Sequence, residues 1–86
     1  MLLLGRKTAL ERVVAFLHEM DERQHRPTVI QLPMSRRDIA DYLGLTLETV
    51  SRALSTLREN NIVRFHGTTQ RQVEVLSRAG IAELDS

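Results

Sequence analysis

The fold of this chain is decided by the stretch SRRDIADYLGLTLETVSRAL, which spans residues 35–54. Ser35 and Asp38 lie three residues apart, a spacing at which each side chain can accept a hydrogen bond from a free backbone N–H at a helix start. Apolar residues then follow at helical spacing, namely Ile39, Ala40 and Leu43. Gly44 stands where a helix commonly ends on a left-handed residue. We therefore predict a short capped helix that ends at Gly44.

A second helix is predicted directly after this glycine, with Thr46 as its N-cap. At about 100° per residue, its apolar positions fall on one side of the helix: Val50, Ala53, Leu54 and Leu57. Its polar positions fall on the opposite side: Glu48, Ser51, Arg52 and Ser55. Each feature is common alone, but their combination favours a helix-turn-helix, in which one face of the second helix packs and the other is presented.

The N-terminal part of the chain predicts a further helix, with Thr8 and Glu11 at the spacing of a capping box. Its apolar stripe should pack against the helix-turn-helix: Leu10, Val13, Val14, Leu17 and Met20. A membrane-surface helix is the rival interpretation, which the mixed charges between Arg6 and Arg26 disfavour. The helix should end near residues 22–24, because Pro27 prevents its continuation.

Short β-rich segments account for most of the remaining chain. We predict strands at residues 29–32, 62–65 and 72–75, with a loop at 66–70 that makes the last two strands a hairpin, or wing. Ser77 should cap a last helix that carries Ile81 and Leu84. The sequence therefore predicts a mainly α fold with a small β-sheet, a winged helix-turn-helix.

Length and composition exclude several other classes of protein. The 86 residues are enough for one modest core, and 42% hydrophobic with 27% charged residues is typical of a globular chain. The absence of cysteine excludes disulfides and thiolate metal sites. No apolar run approaches a membrane span, so we expect a cytoplasmic protein. His18, His25 and His66 lack partners at ligand spacing, and no nucleophile–base pair stands out, so we expect no metal, cofactor or enzymatic activity.

Residues 37–52, RDIADYLGLTLETVSR, resemble the DNA-binding signature of the CRP/FNR family of bacterial regulators, most of all its FNR/FixK branch. The resemblance covers nearly the whole chain. It implies that residues 1–6 are the end of a dimerisation helix and a hinge, and that residues 7–86 are the winged helix-turn-helix domain. It also implies a regulator that lacks its N-terminal sensor here. An independent short protein that begins at Met1 is the alternative.

The resemblance places the base-reading positions on Glu48, Ser51 and Arg52. Arg52 can donate two parallel hydrogen bonds to guanine, and Glu48 can accept one from a cytosine amino group. Ser51 can approach an adjacent base, and Leu47 can touch a thymine methyl group. The cyclic-AMP-responsive branch has arginine in place of Leu47, and this departure implies a TTGAT-type half-site. Chemistry alone gives only a preference for a G·C pair flanked by A·T pairs.

The second helix of the motif, at about residues 46–60, is the expected recognition helix. Phosphate contacts are expected from its start, from the start of the helix before it and from the wing: Ser35, Arg36, Thr46, Thr49, Thr68 and Arg71. Arg36 lies in the first turn of its helix, where the helix dipole disfavours a cation and a phosphate would compensate for it. Ordinary solvation of Arg36 and an ordinary polar hairpin tip remain the alternatives. These contacts would make the affinity strongly salt-dependent.

The implied partner is double-stranded DNA with a palindromic operator, together with RNA polymerase for the full-length regulator. The full-length protein should be a homodimer, whereas this part should be a monomer or weakly associating. A protein-interaction module that uses the same fold without binding DNA is the alternative function. A contiguous apolar patch on the recognition helix or wing would favour that module, and a positive rim would favour DNA.

Overall fold

The computed structural model describes residues 8–85, so the predictions for residues 1–6 lie outside the described residues. It has four helices and three strands. In chain order these are α1 (Ala9–Arg23), β1 (Val29–Gln31), α2 (Arg36–Leu43), α3 (Leu47–Glu59), β2 (Val63–His66), β3 (Gln72–Val75) and α4 (Arg78–Asp85). The predicted mainly α fold with a small sheet, a winged helix-turn-helix, is confirmed.

Helix α1 begins with the predicted capping box. The Glu11 N–H donates to Thr8 Oγ1 at 3.1 Å, and the Thr8 N–H donates to Glu11 Oε1 at 2.8 Å. The apolar stripe of α1 lies in the core, with Leu10 partly buried at its edge. Phe16, which the predicted stripe omits, is also buried, and its ring meets Tyr42 of α2 edge-on at 5.9 Å between centroids. This contact joins α1 to the helix-turn-helix.

Helix α2 begins and ends at the predicted residues. The Asp38 N–H donates to Ser35 Oγ at 3.2 Å. The Asp38 side chain was also expected to accept from a backbone N–H. Its carboxylate instead accepts from the Ser35 hydroxyl at 3.0 Å. Gly44 ends the helix with φ of 71°, and the Leu45 N–H closes the turn by donating to the Ala40 carbonyl at 2.8 Å. A left-handed glycine followed by this bond is a Schellman ending.

Helix α3 begins at its predicted cap, where the Thr49 N–H donates to Thr46 Oγ1 at 3.1 Å. All four predicted apolar positions of α3 are buried: Val50, Ala53, Leu54 and Leu57. The helix ends before Asn60, and Asn61 has a φ of 59° that reverses the chain. The Ile62 N–H then donates to the Leu57 carbonyl at 2.9 Å, so α3 leads directly into the wing.

The three strands form an antiparallel sheet in the order β1-β3-β2. Val73 lies in the central strand, opposite Ile30 on one side and Phe65 on the other. Three predicted strand boundaries were wrong by one residue, the end of β1 and both ends of β2, which includes His66. Ile62 is excluded from β2 because its backbone closes the end of α3, and Leu32 follows β1, although its N–H still donates to the Arg71 carbonyl at 2.8 Å.

The outer edge of β1 is covered by a side chain of the same domain. Gln24, directly after α1, accepts from the Gln31 N–H at 2.9 Å and donates to the Gln31 carbonyl at 2.8 Å. The amide therefore stands in for a neighbouring strand at this position.

Helix α4 packs behind the core through Ile81, and Ser77 Oγ accepts from the Gly80 N–H at 3.0 Å as predicted. Arg78 in its first turn forms two hydrogen bonds with Asp21 of α1 and one, at 2.7 Å, with the Pro27 carbonyl. The hydrogen bonds to Asp21, helped by the charges of Asp21 and Glu22, raise the pKa of Arg78. No helix in the described part of the chain is long and apolar enough to cross a membrane.

Candidate nucleic-acid interface

The outer face of α3 forms a shallow depression at its N-terminal end. It is lined by Thr46, Leu47, Glu48, Ser51, Arg52 and Ser55. All four side chains predicted to contact bases are among them: Leu47, Glu48, Ser51 and Arg52. The buried face of the same helix fixes their direction, because Val50, Ala53 and Leu54 anchor α3 in the core.

The two charged side chains of this depression are extended into solvent. Glu48 and Arg52 are 87% and 83% exposed, and their nearest atoms, Glu48 Oε2 and Arg52 Nη2, lie 3.9 Å apart. An ion pair this exposed to solvent contributes little to the stability of the fold. Both groups therefore keep free hydrogen-bonding capacity.

Leu47 is one of three large apolar side chains that are exposed among the described residues, at 42%. It is the first residue of α3, so it lies at the end of the helix that a winged helix-turn-helix inserts most deeply into a groove. Its apolar surface adjoins Glu48 and Thr46 in the depression.

The hydroxyls predicted to contact phosphate are partly used by the helix caps. Ser35 Oγ donates to Asp38 at 3.0 Å, and Thr46 Oγ1 donates to Thr49 Oγ1 at 2.8 Å. The Thr49 hydroxyl accepts in that bond, so the bond leaves its own hydrogen unused. Of the three hydroxyls, Thr49 is therefore the best placed to donate to a phosphate.

The wing carries the other predicted phosphate contacts in the loop between β2 and β3. Thr68 and Arg71 are both exposed there. Gly67 and Gln70, with φ of 80° and 56°, turn the chain, and the Gln70 N–H donates to the Gly67 carbonyl at 3.3 Å. The loop therefore forms a tight polar turn at the end of the hairpin.

Arg36 is half-buried at the start of α2. Its guanidinium lies over the Phe65 ring of β2, 5.1 Å from the centroid, and its Nε atom is buried without a hydrogen-bond partner. Burial, and secondarily the charge of Arg58, lower the pKa of Arg36. Sequence spacing gave no signal for Phe65 or Arg58 as neighbours of Arg36, because they lie on β2 and at the end of α3.

His66 has a carboxylate neighbour that its spacing in the sequence does not reveal. His66 Nε2 lies 2.9 Å from Glu74 Oε1, since β2 and β3 bring the two side chains to one face of the hairpin. Arg64 Nη1 lies 4.0 Å from the same oxygen. Among residues 8–85 no group of three or more histidine, aspartate or glutamate side chains could hold a metal ion.

Two capped helices joined at a left-handed glycine, with a polar face on the second helix and a hairpin beside them, define a winged helix-turn-helix. This is a class of DNA-binding domain found in transcription regulators. The chain belongs to the Crp-like helix-turn-helix domain family, whose model matches residues 11–84.

Curated relatives of the FixK group share much of the sequence. The nitrogen fixation regulation protein FixK of Rhizobium meliloti is 52% identical over 63 residues, which cover 73% of this chain and 30% of that protein. FixK of Azorhizobium caulinodans is 45% identical over 91 residues, covering 100% of this chain and 36% of that protein. The chain thus spans about a third of the length of these relatives. The resemblance to the FNR/FixK branch is confirmed.

Solved structures give the same assignment. FixK2 from Bradyrhizobium japonicum matches with a TM-score of 0.85 and 58% identity, over 100% of this chain and 42% of that one. A mutant of CooA from Carboxydothermus hydrogenoformans matches with a TM-score of 0.82 and 25% identity, over 98% of this chain and 39% of that one.

Proposed function

We propose that this domain reads a TTGAT-type half-site in the major groove with Leu47, Glu48, Ser51 and Arg52. The observation that carries the proposal is that these four side chains line one exposed depression at the N-terminal end of α3. Arg52 donates to guanine O6 and N7, and Glu48 accepts from a cytosine amino group nearby. Ser51 lets the helix approach an adjacent base, and Leu47 contacts a thymine methyl group.

Phosphate contacts on either side of the groove would fix the register of α3. The domain offers them from the start of α2 (Ser35 and Arg36), from the start of α3 (Thr46 and Thr49) and from the wing (Thr68 and Arg71). Thr49 supports this proposal most directly among the hydroxyls, because its hydrogen is free of the cap that Thr46 forms with it. These contacts carry no sequence information but supply much of the affinity.

In the intact regulator we expect two such domains on a palindromic operator, because a two-fold dimer matches a site with two-fold symmetry. Residues 1–6 would then belong to the end of the dimerisation helix and the hinge, and the regulator would act in the cytoplasm with RNA polymerase as a further partner. The relatives named FixK support this setting. A single domain lacks the avidity of the dimer and should bind a half-site weakly.

A protein-interaction module is disfavoured because few large apolar side chains are exposed among the described residues. Tyr42, Leu47 and Leu76 are the large ones among the described residues, and they belong to α2, α3 and the connection after β3. A docking surface for a protein partner would instead need a contiguous apolar patch.

Fluorescence anisotropy of labelled duplexes tests the proposal. The domain is titrated with a palindromic TTGAT-N4-ATCAA duplex and with a scrambled duplex of the same composition, at several salt concentrations. We expect tighter binding to the palindrome at every salt concentration, with both affinities rising as salt falls. Equal affinity for the two duplexes would contradict base reading by the isolated domain, and no binding at low salt would favour the interaction module.

A further inference from the structure

His66, Glu74 and Arg64 form a charged cluster on the wing, apart from the residues that line the α3 depression. His66 is the last residue of β2, and its Nε2 atom lies 2.9 Å from Glu74 Oε1 of β3. Arg64 is paired with Glu74 in the register of the hairpin, and its Nη1 atom lies 4.0 Å from the same oxygen. One carboxylate oxygen therefore faces both basic side chains.

The hydrogen bond assigns the neutral form of the His66 ring. An ionised carboxylate can only accept, so Nε2 carries the hydrogen of this bond and Nδ1 of the neutral ring is an acceptor. Protonation adds a hydrogen at Nδ1 and one positive charge. The charges of Arg64 and Glu74 cancel when His66 is neutral, whereas the cluster carries one net positive charge when His66 is protonated. Histidine is the side chain that makes such a change between about pH 5 and pH 8.

The face of the sheet that carries His66 offers it no second acid within residues 8–85. Across the sheet from His66 lie Gln72 of β3 and then Gln31 of β1, and both are uncharged. The loop after β2 adds a further cation, Arg71, which is exposed. Glu74 is therefore the one carboxylate that forms an ion pair with His66 among the described residues.

The other charged groups near β2 belong to the opposite face of the sheet. Neighbouring residues of a strand point to opposite faces, and Phe65 packs against the core with Arg36 over its ring. Helix α3 packs against β2 from the core side, where Leu57 is buried. Its charged residues form no ion pair with His66 in the described part of the chain: Glu48, Arg52, Arg58 and Glu59.

We propose that DNA binding by the wing is proton-linked through His66, so that the domain takes up a proton there when it binds and its affinity rises as the pH falls. This inference rests on the proposed function, in which Thr68 and Arg71 of the adjoining loop contact phosphates. The His66 side chain is 42% exposed and lies two residues before Thr68, so phosphates at the wing would favour its charged form. Proton uptake and DNA binding then strengthen each other, and the gain in affinity is lost as the pH rises. Glu74 limits the affinity at neutral pH by cancelling the charge of Arg64.

NMR titration of the histidine rings measures the proton uptake directly. The domain is titrated with acid alone and when saturated with the scrambled duplex at low salt. We expect the His66 midpoint to lie at higher pH in the complex than in the free domain. His18, on α1 beside α4, is the internal control and should have the same midpoint in both. Equal midpoints for His66 in the two states would overturn the proposal.

Anisotropy titrations at pH 6 and pH 8 measure the effect on affinity. The parent domain should bind both duplexes more tightly at pH 6, with a slope of log K against log salt concentration that is steeper by up to about 0.9, because one more counterion is released. The affinity ratio between the two pH values should then change about threefold for each fourfold change in salt. His66→Gln keeps a donor for Glu74 but has no charge to gain, so it should lose this pH dependence. His18→Gln is the matched control and should keep it.

Glu74→Gln gives a test that a damaged fold cannot imitate. Removing the carboxylate leaves Arg64 without a counter-charge, so we expect tighter binding to both duplexes at pH 8 and a steeper salt slope than in the parent. Unchanged or weaker binding would contradict the role assigned to this cluster.

The outcomes separate this inference from the proposed function. Tighter binding at pH 6 that depends on His66, with equal affinity for the two duplexes, would support the inference while base reading fails. Selective binding with the same pH dependence in His66→Gln as in the parent would overturn this inference alone. No binding to either duplex at pH 6 and low salt would overturn both.

Discussion

Asp21 and Arg78 join the first helix to the last across 57 residues of sequence. Asp21 is buried, with its side chain only 5% exposed, and its two oxygens accept from Arg78 Nε at 3.0 Å and Nη2 at 2.9 Å. Arg78 is 41% exposed on the outer side of this contact. The two partners therefore differ in how readily water can replace the lost interaction.

We predict that removing Arg78 destabilises the domain more than neutralising Asp21 does. Arg78→Met leaves a buried carboxylate without its partner and should lower the free energy of unfolding by about 2–3 kcal/mol. This is less than the usual loss for a fully buried pair, because water reaches the side where Arg78 lies. Asp21→Asn leaves Arg78 free to turn to solvent and should cost about 1 kcal/mol. Urea unfolding at neutral pH measures both. A larger loss of stability in Asp21→Asn than in Arg78→Met would contradict this prediction.

Gln24 is predicted to protect the edge of the sheet. Gln24→Ala removes both hydrogen bonds to Gln31 and should lower the free energy of unfolding by about 1 kcal/mol. It should also speed hydrogen exchange at the Gln31 amide. Gln24→Glu is the sharper comparison, because it keeps the acceptor for that amide but sets a carboxylate oxygen against the Gln31 carbonyl in place of the donor. Unchanged exchange in Gln24→Ala would show that water or another group covers the edge.

The left-handed turn between α2 and α3 should depend on the absence of a side chain at Gly44. Space is not the constraint, since an added Cβ would meet its nearest neighbour, Arg12 Nη1, only at 4.0 Å. The cost of Gly44→Ala is therefore conformational, about 1–2 kcal/mol. Gly44→Asn should cost less, because asparagine tolerates this conformation better than alanine. Thermal unfolding of the two variants tests this order.

Arg52 and Glu48 should each discriminate between bases at one pair of the half-site. Arg52→Ala is expected to cost about 1–3 kcal/mol of discrimination at the G·C pair of the half-site, with a much smaller effect on scrambled DNA. Glu48→Ala should cost a similar amount at the pair whose cytosine it contacts. Anisotropy titrations against duplexes with single base-pair changes measure this. Equal losses on specific and scrambled duplexes would mean that these side chains contact only the backbone.

Leu47 can be tested by changing the DNA as well as the protein. If Leu47 touches a thymine methyl group, replacing that one half-site thymine by uracil should weaken binding of the parent domain and have little effect on Leu47→Ala; each thymine is replaced in turn to find it. The measurement is a double-mutant cycle between one methyl group and one side chain. Additive effects would place Leu47 away from the thymine methyl groups.

The features that were predictable from sequence are those fixed within a few residues. Thr8, Ser35 and Thr46 cap their helices because each lies three residues before the amide it accepts from, and Gly44 ends α2 for an equally local reason. Phe16 could have been included in the core, since it lies three residues after Val13 on the same helix.

The features that sequence could not give depend on long-range packing. In the sequence, Asp21 looks like any other acidic residue of α1, and only the fold brings Arg78 to it. His66 likewise contacts Glu74 only through the register of the hairpin. Arg36 likewise meets Phe65 only when β2 returns beside α2. In the candidate site, the face of α3 was predictable from its period, whereas the neighbours that position Arg36 were not.

The strand order β1-β3-β2 has a consequence for how the domain acquires its structure during synthesis. The central strand is the last of the three to leave the ribosome, so β1 and β2 have no neighbour in the sheet until residues 72–75 emerge. The helix-turn-helix is complete in sequence by Glu59, yet its supporting sheet must wait for that later segment. A nascent chain arrested before residue 72 should therefore remain protease-sensitive, and protection should arise in one step once β3 is available.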